Sequence, residues 1–309
     1  MQNKTMKAAR IADYGSAEQI VLEQVPVPVP GAGQALVRLY AAGVNPADWK
    51  FRSGMMKQFL PLTFPWIPGL EGAGIVEAAG SDVTGLKAGD AVFGPIMSSY
   101  AEYSVAPATE LFLKPEQLSF EEAAAVPVGS RTAWQAVIEE AEVGPGQRVL
   151  VHGGAGGVGS YAVQLAKWKG AHVIATASSA NAEFVRSLGA DMVIDYRAAR
   201  FEEVAPEVDA VIDTVGGELV ARSLGVIRPG GIFVTIAARV DPEAGQARGI
   251  RVTSSRSADT GKLREISQLL QSGQLRPVVG KIFPLEQARQ AQELSETGHG
   301  RGRIVLRMS

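Results

Sequence analysis

The stretch Val149-Leu150-Val151-His152-Gly153-Gly154-Ala155-Gly156-Gly157-Val158-Gly159 constrains this chain more than any other. An apolar run stops in a glycine cluster, and a helical pattern, Ser160 to Trp168, follows at once. Strand, glycine turn and helix in that order is the context in which Gly154-x-Gly156-x-x-Gly159 reads as a dinucleotide fingerprint. The first glycine permits a tight turn, the second lets the backbone approach a pyrophosphate, and the third lets helix and strand pack closely. Free N–H groups at the helix start then face the phosphates. The competing reading of the same residues is a glycine-rich turn with no ligand.

The surroundings favour nucleotide binding. Apolar strand candidates lie at residues 148–152, 172–177, 192–196, 210–215, 231–237 and 250–255, with helical patterns between most of them, notably at 181–188 and 218–227. Such alternation predicts a doubly wound parallel sheet, with the glycine turn after its first strand. The end of the second strand bears on which dinucleotide enters. NAD-selective sites place Asp or Glu there, about 20 residues after the fingerprint, to hold the ribose 2′-OH. This chain has Ala177-Ser178-Ser179-Ala180-Asn181 and no carboxylate. A carboxylate beside a 2′-phosphate would cost about 4 kcal/mol per charge pair at close range. Its absence favours NADP(H), with Ser178 and Ser179 donating to phosphate and Tyr196 facing the adenine beside Arg197. The alternatives are a helix cap at Ser178 and surface roles for Tyr196 and Arg197.

The first 125 residues read differently. Short strands at 7–11, 21–25, 34–42, 72–80, 90–94 and 100–105 are punctuated by Gly and Pro, which predicts a small β-barrel or sandwich. Ser119 with Glu122 three residues later marks a helix start, and residues 131–141 read as a helix. Asn45, before Pro46 and thus held extended, is open to two readings, a turn-former and a functional amide. Glu71, in a glycine-rich turn, is expected to be a solvated or backbone-bonded carboxylate. Residues 259–272 and 285–297 form amphipathic helix patterns, and 278–283 and 302–307 read as strands. The six strands of the parallel sheet are already accounted for, so this tail is expected to return to the first domain. The predicted division is 1–126 with 257–309, and 127–256.

Composition narrows the class of function. The net charge of the 309 residues is −2, so no basic field recruits nucleic acid or anionic membrane. No apolar run approaches the roughly 18 residues of a spanning helix. The polar, basic start lacks the apolar core of a signal peptide, and a cytoplasmic location is the expectation. The chain has no cysteine, which excludes disulfides, thiolate nucleophiles and Cys-ligated zinc. His152, His172 and His299 are scattered and do not make a metal site.

Several pieces together carry a family resemblance. They are Ala42-Gly43-Val44-Asn45-Pro46-Ala47-Asp48, Pro68-Gly69-Leu70-Glu71-Gly72-Ala73-Gly74, Pro127 with Thr132-Ala133-Trp134, Gly153 to Gly159, Asp213-Thr214-Val215-Gly216-Gly217 and Gly302-Arg303-Ile304-Val305-Leu306. Over roughly residues 6 to 307 the chain resembles the medium-chain dehydrogenase/reductase superfamily, in its zinc-free quinone oxidoreductase branch. The resemblance implies an α/β protein with a GroES-like β-barrel catalytic domain and a Rossmann domain. Zinc alcohol dehydrogenases carry Gly-His-Glu where this chain has Gly69-Leu70-Glu71, and Leu70 cannot ligate a metal. The implied reaction is hydride transfer without a Lewis acid, from NADPH to a quinone or an α,β-unsaturated carbonyl.

The resemblance also implies roles. Asn45 would lie near the nicotinamide and hydrogen-bond a substrate oxygen gaining negative charge. Thr132 would touch the nicotinamide side. Gly154, Ala155, Gly156, Gly157 and Val158 would cradle the pyrophosphate. Ser178, Ser179, Tyr196 and Asn181 would bind the adenosine end, and Val215, Ile236 and Ala237 would border the nicotinamide. Asp48 and Trp49 stand where some relatives have a tyrosine. Tyr100 and Tyr103 are assigned to barrel structure, and solvent is the expected proton source. A homodimer through Rossmann edge strands, with residues 250–255 at the edge, is a further expectation. Two other functions share this fold: an enoyl-thioester reductase of a biosynthetic pathway, and an NADPH-binding protein without turnover.

Overall fold

A computed structural model describes residues 4–205 and 207–308. The chain divides into two compact units. One comprises the residues up to Val128, Leu263–Ser267 and the segment from Pro277 onward; the other comprises Gly129–Lys262 and Gln268–Arg276. Among the described residues no helix is long and apolar enough to cross a membrane.

The first unit begins with an antiparallel hairpin of β1 (Thr5–Arg10) and β2 (Val21–Pro26). Next comes the long strand β3 (Gln34–Val44), followed by helix α1 (Pro46–Arg52). Then follow β4 (Gly72–Ala79), β5 (Ala91–Gly94), β6 (Tyr103–Pro107) and the two-residue β7 (Phe112–Leu113), which has no sequence signal. Helix α2 (Phe120–Ala124) starts at the predicted cap. Glu122 N–H donates to Ser119 Oγ at 3.1 Å, and Ser119 N–H donates to the Glu122 carboxylate at 2.8 Å. Helix α3 (Pro127–Trp134) begins four residues before the predicted 131–141 helix, and Gln135–Glu140 continues it as a π turn.

The second unit is a six-stranded parallel sheet. Its strands are β8 (Arg148–His152), β9 (His172–Ala177), β10 (Met192–Asp195), β11 (Val208–Asp213), β12 (Ile227–Thr235) and β13 (Arg251–Ser254). The intervening helices are α4 (Gly159–Trp168), α5 (Ala182–Ser187), α6 (Phe201–Val204) and α7 (Leu219–Leu224). Spatial order is β10-β9-β8-β11-β12-β13. Strands buried on both faces explain the continuous apolar runs. Leu150, Ile174, Val211 and Phe233 are fully enclosed, and each such burial contributes about 1.5–3 kcal/mol. Four strands stop short of the sequence reading, at Asp195, Asp213, Thr235 and Ser254, so Tyr196, Val215, Ile236 and Ala237 lie in the turns beyond. After β11 the cause is visible. Asp213 accepts the N–H groups of Val215 and Gly216 at 3.0 and 2.9 Å, and Gly216 and Gly217 turn the chain with φ of 78° and 65°.

Helix α8 (Leu263–Gln271) leads to the closing segment, β14 (Val279–Pro284), α9 (Ala288–Glu296) and β15 (Arg303–Arg307). β15 pairs antiparallel with β3, setting Ile304 opposite Val44. The larger sheet of the first unit runs β14-β15-β3-β4-β5-β7, with β6 also on β3. Among the described residues, bridges from Ala8 to Ala101 and from Ile11, just past β1, to Trp66 tie the hairpin segment to the rest of this unit. Val37, Leu39, Val44, Val76, Val92, Ile96 and Leu306 fill its core.

Candidate functional site

In the first unit the pairing of β15 with β3 gathers residues from across the sequence around Asn45. Asn45 follows β3 and precedes α1, and it is only 2% exposed. Its Nδ2 donates to Glu71 Oε1 at 2.9 Å, and its Oδ1 accepts from Arg303 at 2.7 Å. Arg303 also pairs directly with Glu71. Glu71 is fully buried, and its second oxygen accepts the Val128 N–H at 2.6 Å. The expectation of a solvated carboxylate at Glu71 is therefore overturned, because Arg303 compensates the buried charge; the backbone-bonded half of that expectation holds. Gly43 is part of the same arrangement. A Cβ there would overlap the Glu71 carboxylate and approach the Ala124 carbonyl to 2.8 Å.

A second carboxyl lies beneath Asn45. Asp48 Oδ2 accepts the Asn45 N–H at 2.8 Å and the Tyr100 hydroxyl at 2.9 Å. Its Oδ1 has no partner among the described residues. Burial pushes this carboxyl up to about 7, helped by the nearby Glu71 charge and opposed by the Asn45 and Tyr100 hydrogen bonds and by Arg303. Tyr100 is fully buried, as expected of a structural residue, and it also holds the start of α1. The turn-forming and functional readings of Asn45 are thus compatible. Its main chain caps a helix, while its amide is clamped between opposite charges. One Nδ2 hydrogen remains without a partner among the described residues.

In the second unit the glycine turn leaves β8 where the strand order reverses, with β9 on one side and β11 on the other. In open α/β sheets this is the ligand-binding crevice. The turn is pinned from inside. Gly153 N–H donates to Thr176 Oγ1 at 3.1 Å, and Gly154 N–H donates to the Thr176 carbonyl at 3.0 Å. The left-handed turn residue is Gly153, with φ of 70°, one position before the motif's first glycine. Gly154 serves packing, since a Cβ there would lie 2.9 Å from Ala175 Cβ. At Gly159 a Cβ would overlap the Gly153 carbonyl, which is the close approach the third glycine was expected to permit. The N–H groups of Ala155, Gly157, Val158 and Gly159 make no hydrogen bond among the described residues. Four unpaired donors at the start of a ten-residue helix fit a pyrophosphate.

The strand ends around this turn carry the other predicted residues. Ser178 and Ser179 follow β9, and Tyr196 follows the adjacent β10, whose Asp195 pairs with Ala177. Ser178 is at a cap position but makes no capping bond; its hydroxyl accepts from Asn181 at 3.2 Å. Tyr196 is 53% exposed, with the Arg197 guanidinium 5.6 Å from its ring centre. Val215 is 55% exposed, Ala237 is exposed and Ile236 half-buried. Asp213 shapes both of these turns, because its other oxygen accepts the Thr235 hydroxyl at 2.8 Å. Thr132, on α3, bonds Ser257 Oγ at 2.8 Å.

Sequence reasoning missed Arg303, Thr176 and the structural part played by Asp213. One signal existed for Arg303. It shares a strand with Val305 and Leu306, and an arginine among buried residues requires a carboxylate.

Comparison with known proteins agrees with this architecture. Residues 31–116 match the alcohol dehydrogenase GroES-like domain, and residues 188–306 match the zinc-binding dehydrogenase family. The 2-methylene-furan-3-one reductase of Solanum lycopersicum is 37% identical over 97% of this chain and 79% of its own length. The NADPH-dependent alkenal/one oxidoreductase of Arabidopsis thaliana, a chloroplast protein, is 35% identical over 98% of this chain and 80% of its own. The solved quinone oxidoreductase of Coxiella burnetii superposes with a TM-score of 0.90 at 35% identity, covering 99% of this chain and all of that one.

Proposed function

We propose that this chain, which belongs to the quinone oxidoreductase branch of the medium-chain dehydrogenase/reductase superfamily, reduces a quinone or an α,β-unsaturated carbonyl with NADPH and without zinc. Membership makes it a pyridine-nucleotide-dependent oxidoreductase. The observation that carries the finer reading lies at the carboxyl ends of the central strands β8 and β9. Unpaired N–H groups of the glycine turn suit a pyrophosphate, and the adjoining strand ends in Ser178 and Ser179 with no carboxylate to repel a 2′-phosphate. Tyr196 gives the adenine a flat exposed face. Val215, Ile236 and Ala237 border the nicotinamide on turns held by Asp213, and Thr132 meets it from α3.

When bound, the cofactor supplies the hydride. The protein's part is orientation and charge. Glu71 and Arg303 hold the Asn45 amide in one orientation, and its remaining Nδ2–H is the donor for a substrate oxygen that gains charge. Two features of the donor set support zinc independence. Leu70 stands beside a Glu71 already engaged by Arg303 and the main chain, and the sequence has no cysteine. The reading is tested by following NADPH oxidation with a benzoquinone, a phenanthrenequinone and a simple enone, with NADH in parallel. Acceptor-dependent turnover strongly favouring NADPH is expected. Equal use of NADH would refute the assignment of Ser178 and Ser179.

A further inference from the structure

His152 closes β8 immediately before the glycine turn and is completely buried. Its ring bridges two elements. Nδ1 lies 3.3 Å from Thr176 Oγ1 on β9, and Nε2 lies 3.0 Å from Ser223 Oγ on α7. The neighbours decide which nitrogen carries the proton. Ser223 has one hydroxyl hydrogen and donates it to the Leu219 carbonyl at 2.6 Å, so toward His152 it accepts, and Nε2 is the protonated nitrogen. Nδ1 is then an acceptor, and the Thr176 hydroxyl hydrogen points to it. Thr176 Oγ1 in turn receives the Gly153 N–H at 3.1 Å. The result is one directed chain, from Gly153 N–H through Thr176 and His152 to Ser223 and Leu219, with every hydrogen assigned.

We propose that His152 is a positioning residue for nucleotide binding. It locks Thr176 as the acceptor that shapes the phosphate-binding turn, and it ties that turn to α7, the helix that follows the Val215–Gly217 bend. The inference rests on the assignment of NADPH to this turn. Thr176 is well placed for the task. Its hydroxyl takes Gly153, its carbonyl takes Gly154, and its chain continues two residues on to Ser178. The Phe201 ring packs edge-on to the imidazole at 4.7 Å, which keeps water out. Burial pushes the imidazole down to about 4; Arg222 of α7 adds to this, while Asp213 of β11 and Glu202 of α6 oppose it. The ring is therefore neutral, and the directed chain intact, at neutral pH.

The two halves of the chain can be separated by substitution. His152→Asn offers an amide oxygen where Nδ1 accepts. His152→Gln offers an amide N–H where Nε2 donates. His152→Phe offers neither. The measurements are the dissociation constant of NADPH on the full chain, and kcat and KM with a quinone acceptor. His152→Phe is expected to raise the dissociation constant and KM for NADPH about ten-fold, the scale of one lost hydrogen bond, with kcat at saturating NADPH unchanged. His152→Asn is expected to restore most of that affinity, and His152→Gln is not. Thr176→Val provides an independent check, weakening NADPH to a similar degree and adding little when combined with His152→Phe. Wild-type affinity in both His152→Phe and Thr176→Val overturns the proposal, as does rescue by Gln rather than Asn. If wild-type protein itself fails to bind NADPH, the nucleotide assignment falls first, and the two failures are thereby distinguished.

Discussion

Arg303→Met lowers the free energy of unfolding by about 3–5 kcal/mol, the usual cost of stranding one member of a buried ion pair. Glu71 and Arg303 are 0% and 4% exposed. Without the guanidinium, the carboxylate keeps, among the described residues, Asn45 Nδ2 and the Val128 N–H. Two amide donors do not compensate a buried charge. Adding Glu71→Gln to Arg303→Met should recover a large part of the loss, because the pair is then replaced by neutral groups. Chemical denaturation of the single and double variants measures this. A loss below about 1 kcal/mol for Arg303→Met would mean that the pair is solvated, as surface pairs are.

Asn45→Ala should reduce kcat about 100- to 1,000-fold while leaving KM for NADPH unchanged. That is the range for removing one preorganised donor from a developing oxyanion. The fold should survive, because the groups that Asn45 bridges still pair with each other, and Asp48 bonds the main-chain N–H rather than the amide of residue 45. Steady-state kinetics with a good acceptor reads the effect. Unchanged turnover would leave Asn45 a turn and packing residue only.

Both effects arise in one polar cluster, which is less legible in the sequence than the parallel sheet. The parallel sheet was legible because each strand is a continuous apolar run with helical spacing between runs, a signal local to about ten residues. The cap at Ser119 was legible for the same reason, since Glu122 is three residues away. Counting strands led only to the expectation that the tail returns to the first domain; that β15 pairs with β3 is a structural finding. The polar cluster was less accessible. Asn45 and Glu71 are 26 residues apart, and Asn45 and Arg303 are 258 apart. Their meeting depends on the register of β15 against β3, which local periodicity does not encode. In the sequence alone Glu71 reads as an ordinary turn carboxylate, because Arg303, which compensates it, is 232 residues away. Strand ends failed for a related reason. Val215 and Ile236 continue an apolar pattern, yet the Asp213 carboxylate captures the N–H groups that would extend the ladder after β11. In the glycine turn, sequence identified the segment but displaced one role. The left-handed residue is Gly153, and Gly154 is instead fixed by contact with Ala175.

The most direct test of the account uses NADPH carrying deuterium at the transferable C4 position, a conjugated enone as acceptor, and enough chelator to strip adventitious metal. The prediction is undiminished turnover, with deuterium appearing at the β-carbon of the reduced product. Turnover abolished by the chelator and restored by zinc, or a reduced product without deuterium, would contradict it.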